Sequence, residues 1–179
     1  AIIGPGEAAK GRTNHWIELI PYIEGEYPHL KARLLPRPCM HCDNPPCTKV
    51  CPVYATYIDE EGLVGQINYR CIGCRYCMAA CPYDVRYINP LLPIVQKCDW
   101  CVHRLDQGLK PACVEACPTD ARYIGNVRDP QSEVYRLIHS NPVMVVKPEM
   151  NTNPMVYYIN ADQLTMETRG GARWKRVHE

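Results

Sequence analysis

The chain has no phenylalanine, only two serines and no surplus of either charge. Lys and Arg number 20 against 19 Asp and Glu, so the net charge of +1 gives no reason to expect a nucleic-acid partner. With serine so scarce and the six histidines scattered, no nucleophile–base pair is visible for covalent catalysis. No apolar run approaches the roughly 20 residues that a bilayer-spanning helix needs, and no secretory signal pattern is visible. What is abundant is cysteine, at twelve, and proline, at seventeen, in 179 residues. That length suits one domain, residues 1–179, able to bury a core. The cysteines must then be disulfides, zinc ligands or iron–sulfur ligands, and spacing decides among these.

The most telling stretch is Cys71-Ile72-Gly73-Cys74-Arg75-Tyr76-Cys77-Met78-Ala79-Ala80-Cys81-Pro82. It is a C-x2-C-x2-C-x3-C-P run, the bacterial spacing for a [4Fe–4S] cluster. Gly73 lets the loop wrap closely, Cys81 lies one helical turn beyond Cys77, and Pro82 stops the turn. Two further quartets end the same way: Cys39, Cys42, Cys47 and Cys51-Pro52, and Cys98, Cys101, Cys113 and Cys117-Pro118. The repeat predicts an α+β, bacterial ferredoxin-like fold. Its pseudo-twofold units each hold a cluster loop, a short helix and short strands, with extra strands and one C-terminal helix added. Zinc would account for the C-x2-C pairs but not for the third and fourth thiolates or the recurring proline. Cysteines at i, i+3 fit disulfide geometry poorly, and three such pairs would demand it repeatedly.

In two-cluster ferredoxins the last cysteine of one run serves the other cluster. The same crossing gives one cube to Cys39, Cys42, Cys47 and Cys81, and a second to Cys71, Cys74, Cys77 and Cys51. Cys98, Cys101, Cys113 and Cys117 either close a third cube or share ligands with a quartet that is not in this sequence. Three [4Fe–4S] clusters follow from the cysteines present, four if such a quartet exists.

Around this core, residues 12–38 read as an extended entry segment, with strands at His15–Ile20 and Leu30–Leu35 interrupted by Pro21 and Pro28. Residues 1–11 read as irregular. Residues 39–118 form the cluster-binding core, with a hairpin of Ala55–Ile58 and Leu63–Ile67 about Asp59-Glu60-Glu61-Gly62 and strands at Val85–Ile88 and Arg122–Ile124. Residues 119–160 close the domain. A helix over 130–139, capped by Asp129, turns Val134, Leu137 and Ile138 inward, and strands follow at Val143–Val146 and Met155–Ile159. Residues 161–179 form a basic tail with Arg169, Arg173, Trp174, Lys175 and Arg176, which could grip a partner or anionic lipid. His41 and His103 flank ligands and could donate to cluster sulfur or merely bond backbone. Arg75, Lys97 and Arg104 lie near clusters, where their charge would favour the reduced cube; for any single one, a solvated side chain or an ion pair with a neighbouring subunit is the preferred reading. Trp16 and Trp100 read as packing and shielding rather than as electron carriers.

The quartet spacings, together with Pro38–Cys47, Lys97–Arg104, Pro111–Pro118 and Lys147-Pro148-Glu149, resemble the iron–sulfur subunits of the dimethyl sulfoxide reductase superfamily. These include electron-transfer subunits of polysulfide, tetrathionate and nitrite reductases and the related module of alternative complex III. The likeness runs over roughly residues 14–160. It implies a wire of clusters between a molybdopterin-type catalytic subunit and an integral membrane quinone-binding subunit. The chain itself would be non-catalytic and peripheral on the membrane, on the extracytoplasmic face. Members usually begin with another quartet, whose partner Cys117 would be, so the chain is expected to lack its N-terminal part. A free-standing polyferredoxin and a zinc-stabilised interaction module are the competing readings.

Overall fold

A computed structural model describes residues 5–11, 14–162 and 166. The basic tail expected over 161–179 therefore lies almost wholly outside the described residues. A five-residue helix, α1 (Pro5–Ala9), occupies the stretch expected to be irregular. Its proline sits in the first turn, where the missing N–H is no loss, and Glu7, Ala8 and Ala9 favour helix.

Strands β1 (Glu18–Glu24) and β2 (Lys31–Arg37) form an antiparallel ribbon pairing Glu18 with Arg37 and Glu24 with Lys31. Pro21 does not end β1 but lies within it, opposite Leu34. Each strand of a two-stranded ribbon has a free edge, where a proline costs no ladder bond. One face of the ribbon carries Ile20, Tyr22 and Leu35 into the core, while Leu19, Ile23 and Leu34 stay exposed on the other.

The middle of the chain alternates single helical turns with short hairpins. The turns are α2 (Pro46–Lys49), α3 (Tyr76–Ala79), α4 (Val102–Leu105) and α5 (Ala112–Glu115). The hairpins are β3 (Thr56–Ile58) with β4 (Val64–Gln66), and β5 (Tyr87–Ile88) with β6 (Val95–Gln96). The first hairpin follows its sequence signal. Asp59 Oδ1 accepts from the backbone of Glu61 at 3.1 Å and Leu63 at 2.7 Å, and Gly62 takes φ +86°. No strand forms at Arg122–Ile124, because a strand needs a neighbour and none of the described strands pairs with it.

Helix α6 (Glu133–Ser140) starts three residues later than expected. Asp129 spends its carboxylate on a local turn to Gln131 N–H, 2.9 Å, and Ser132 occupies the cap position. Val134, Leu137 and Ile138 are half-buried as expected. Strand β7 (Val143–Met144) pairs with β8 (Tyr158–Ile159) and closes the described fold. Four separate two-stranded sheets leave little continuous core. One cluster gathers Leu35, Met40, Cys42, Tyr83, Val146 and Met166, and another Cys47, Val64, Cys77 and Val95. Both include cysteines, so the apolar packing itself is arranged around the sulfur sites.

Candidate metal centres

The same backbone device recurs at all three quartets. In each C-x2-C loop the residue before the second cysteine has positive φ: His41 at 41°, Gly73 at 68° and Trp100 at 58°. This conformation curls the loop around whatever it encloses. Gly73 has a second constraint, since a Cβ there would lie 2.4 Å from the Pro93 carbonyl oxygen. Each closing cysteine then caps a helical turn, its N–H bonding Thr48, Met78 or Val114 carbonyl at 3.2–3.3 Å. Three residues on, Tyr54, Asp84 and Asp120 again take positive φ, at 50°, 52° and 48°.

The first two quartets are brought together in crossed fashion. Cys39, Cys42, Cys47 and Cys81 line one hollow with Tyr83 and Arg86, about 310 Å³ of space that is partly open to solvent. Cys51, Cys71, Cys74 and Cys77 line another of about 300 Å³, walled by Thr56, Gln66 and Val95. Electrostatics repeats the grouping. Burial pushes the Cys42 thiol up to about 11, against a bond from Thr152 that lowers it, and Cys39, Cys47 and Cys81 push it further up. Cys77 is raised by burial, opposed by Arg86, with Cys71 and Cys51 adding to the rise. No disulfide joins any of the twelve cysteines. Among the described residues no three His, Cys, Asp or Glu side chains converge on a single-ion site; the quartets surround hollows instead.

The hollows have built walls. Ala55 N–H donates to Cys51 Sγ at 3.2 Å and Val95 N–H to Cys71 Sγ at 3.4 Å. Although burial raises Cys51, backbone donors at Thr56, Val53 and Ala55 hold it below the ordinary thiol value, as suits a thiolate. The first loop is clasped by the segment 151–155. Asp43 and Asn44 N–H donate to Asn153 and Thr152 carbonyls at 2.9 and 3.0 Å, and Met155 N–H to Met40 O at 2.9 Å. The Tyr83 hydroxyl bonds Thr152 Oγ1 beneath it. Lys147, noted above only for its resemblance, donates to the Pro82 carbonyl at 2.7 Å and so pins the turn after Cys81.

The third quartet is more open. Cys98 is buried, its thiol pushed up to about 12 by burial, while Cys101, Cys113 and Cys117 are only half-buried. The groups acting most on Cys117 are Thr119, whose hydroxyl sits 3.5 Å from Sγ, and the backbone of Thr119 and Ala121; together they lower its pKa. α4 and α5 are joined by Arg104, which pairs with Glu115 and donates to Lys110 O at 2.7 Å. Its charge is thus engaged within the chain.

His41 is 1% exposed and has both ring nitrogens occupied. Val64 N–H donates to Nδ1 at 3.1 Å, which leaves Nε2–H to donate to the Cys98 carbonyl at 3.1 Å. Burial and the charge of Lys97 keep it neutral, well below the usual imidazole range. His41 therefore bonds backbone, tying the first loop, β4 and the third loop together. Trp100 packs on its ring at 5.1 Å, Trp16 donates to the Tyr87 hydroxyl at 2.7 Å, and His103 is exposed. Lys97 is buried and donates to Cys98 O at 2.9 Å; Arg75 is exposed on the rim of the second hollow.

Arg86 escaped the reading of the sequence. It is 3% exposed and sits between the two hollows. Nη2 donates to Cys47 Sγ at 3.1 Å, and Nη1 to Thr56 Oγ1 at 3.4 Å and Gln66 Oε1 at 3.3 Å. Its charge also holds down the rise of the Cys77 thiol. Burial lowers its pKa, but Cys47, Cys77, Cys39 and Cys81 outweigh that and raise it. The available signal was positional: Arg86 and Arg122 both stand five residues after a closing cysteine.

Crossed thiolate quartets around walled hollows define an iron–sulfur protein. A family model described as the 4Fe-4S dicluster domain matches residues 30–127, more than half of the chain. The chain belongs to that family, and it is similar to the iron–sulfur subunits of reductases of the dimethyl sulfoxide reductase superfamily type. A tetrathionate reductase subunit of Salmonella typhimurium is 52% identical over 150 residues, covering 80% of this chain and 60% of that protein. The arsenate respiratory reductase iron-sulfur subunit ArrB of a Shewanella species is 37% identical over 195 residues, covering 82% and 83%. Protein NrfC of Escherichia coli is 43% identical over 138 residues, covering 76% and 62%. The chain thus spans about three-fifths of the length of its tetrathionate reductase relative.

Proposed function

We propose that the chain carries single electrons between a molybdopterin-type catalytic subunit and a quinone-reactive membrane subunit of a respiratory reductase, with Cys39, Cys42, Cys47 and Cys81 holding one [4Fe–4S] cluster and Cys51, Cys71, Cys74 and Cys77 a second. The observation that carries this reading is the pair of hollows, each lined by cysteines of both quartets. Bound clusters supply reversible one-electron transfer. The residues hold the sulfurs in fixed geometry, exclude water with Tyr83, Val64 and Val95, and aim N–H groups at thiolate sulfur.

Two further features favour a subunit over a free-standing carrier. The outward ribbon face exposes Leu19, Ile23 and Leu34, apolar area suited to a protein partner. Cys74 is exposed, flanked by exposed Ile72 and Tyr76, so the second site reaches the surface where an electron can cross to a neighbour. Among the described residues no helix is long and apolar enough to cross a membrane. The proposed attachment is peripheral, through the partner, on the extracytoplasmic face.

Cys117 repeats the turn of Cys51 and Cys81, both of which reach away from their own trios. By that analogy Cys98, Cys101 and Cys113 share ligands with a quartet outside this sequence, and Cys117 serves the other cube of that pair. The test is an iron and acid-labile sulfide count on the isolated complex. About sixteen irons support four clusters, about twelve mean that Cys117 closes the third itself, and no iron defeats the proposal.

A further inference from the structure

Thr56 and Arg86 hold the same place in successive units, five residues after Cys51 and Cys81, and they touch. Arg86 thereby stands where the two units face each other, bonding the Cys47 sulfur of the first hollow and Thr56 and Gln66 in the wall of the second, where its charge also acts on Cys77. Among the described residues no carboxylate pairs with it; its remaining partners, Thr56 and Gln66, are neutral. A guanidinium this deeply buried is costly unless anionic groups surround it. The anions within reach are the thiolates, together with whatever they bind.

We propose that Arg86 is a shared electrostatic bridge whose single positive charge raises the reduction potential of both clusters and keeps the two close together. The proposal rests on the cluster assignment above. Each cube gains one electron on reduction, from its neighbour in the wire, with no bond formed or broken, and becomes one unit more negative. A fixed cation at low effective dielectric favours that form on either side. Arg86 is a positioning residue here, since it acts through sulfur rather than on substrate. Gln66 supports it: its Oε1 accepts from Arg86 while its Nε2 donates to the Val95 carbonyl, fixing the fork against the wall of the second hollow.

The test is an EPR-monitored redox titration of the complex carrying Arg86→Met or Arg86→Lys, with an iron count for each. Arg86→Met should lower both midpoint potentials. Arg86→Lys keeps the charge but not the fork, so its midpoints should lie nearer the native values, with the two clusters shifted unequally. Unchanged midpoints in Arg86→Met, a shift of one cluster alone, or equal shifts in both variants would overturn the bridge. Should Arg86→Met lose its iron, a loaded Arg86→Lys with near-native midpoints upholds the role of charge, and loss of iron from both overturns it in favour of packing. Absence of iron from the unmutated complex would defeat the cluster assignment itself, a separate result.

Discussion

Residues 39–96 and residues 98–122 use the same local vocabulary to different effect. Both contain the C-x2-C loop with a positive-φ residue before its second cysteine, and both contain the closing cysteine on a helical turn followed by proline. In the first region two units face each other, so each closing cysteine completes the other's hollow and Arg86 fills the seam. In the second region no second unit faces the first among the described residues: Cys98 is buried beside His41 and Lys97, while the groups acting most on Cys117 belong to its own turn. Short-range sequence sets the turn; enclosure requires a second unit opposite. Perturbing the sulfur sites should therefore affect the two regions unequally.

Stripping the clusters with a chelator under anaerobic conditions should produce the largest change. Ligand binding supplies folding free energy in such domains, on the order of 10 kcal/mol per structural metal site, and removal leaves Arg86 buried without anions. Backbone protection measured by hydrogen exchange should fall most across 39–96 and change less across α6. Uniform loss throughout the chain would erase the proposed distinction between the regions.

Next in size is a pair of substitutions. Cys77→Ala should remove about four irons and much of the stability of the first region, because Cys77 lies in an apolar cluster with Cys47, Val64 and Val95. Cys117→Ala should leave the melting of that region unchanged.

In the metal-free chain, alkali should destabilise the fold. Cys42 and Cys98 are raised from 9.0 to about 11 and about 12. The unfolded thiols ionise first, so this contribution is fully present below about pH 9 and is lost as pH rises through the folded values. Urea midpoints measured from pH 7 to 11 should fall above pH 9, by an amount worth a few kcal/mol in total. A midpoint that rises with pH over that range has the wrong sign for buried neutral thiols.

His41→Ala should cost about 1–3 kcal/mol, since it strands the Val64 N–H and leaves the Cys98 carbonyl with Lys97 as its donor, while leaving the midpoint potentials of the first two clusters close to native. A large potential shift would instead assign His41 a direct role at sulfur. Arg104→Ala, which breaks a partly exposed pair with Glu115, should cost about 0–1 kcal/mol and no iron.

Features encoded over a few residues were legible in the sequence. Asp59 and Gly62 announce the β3–β4 hairpin, and the quartet spacings announce the helical turns α2, α3 and α5. Features set by distant partners were not. Pro21 reads as a breaker until its strand proves to have a free edge, Arg122–Ile124 has the composition of a strand but no neighbour, and Asp129 bonds within its own turn rather than capping α6. Strand β6, short and preceded by Pro90 and Pro93, is visible only through its pairing with β5 and its contact with Cys71. At the site, the crossing of cysteines follows from the recurring motif. The joining roles of His41, Lys147, Thr152 and Arg86 depend on contacts 20 or more residues apart and, beyond the spacing of Arg86 from Cys81, carry no local signature.

The crossing is tested most directly by EPR comparison of Cys51→Ser with Cys74→Ser and with Cys42→Ser in the reduced complex. Cys51 belongs by sequence to the first quartet and by position to the second hollow. The account predicts that Cys51→Ser perturbs the same spectral component as Cys74→Ser and leaves the component altered by Cys42→Ser intact. A Cys51→Ser spectrum that matches Cys42→Ser instead would mean that each quartet closes on its own cluster, and the account would be wrong.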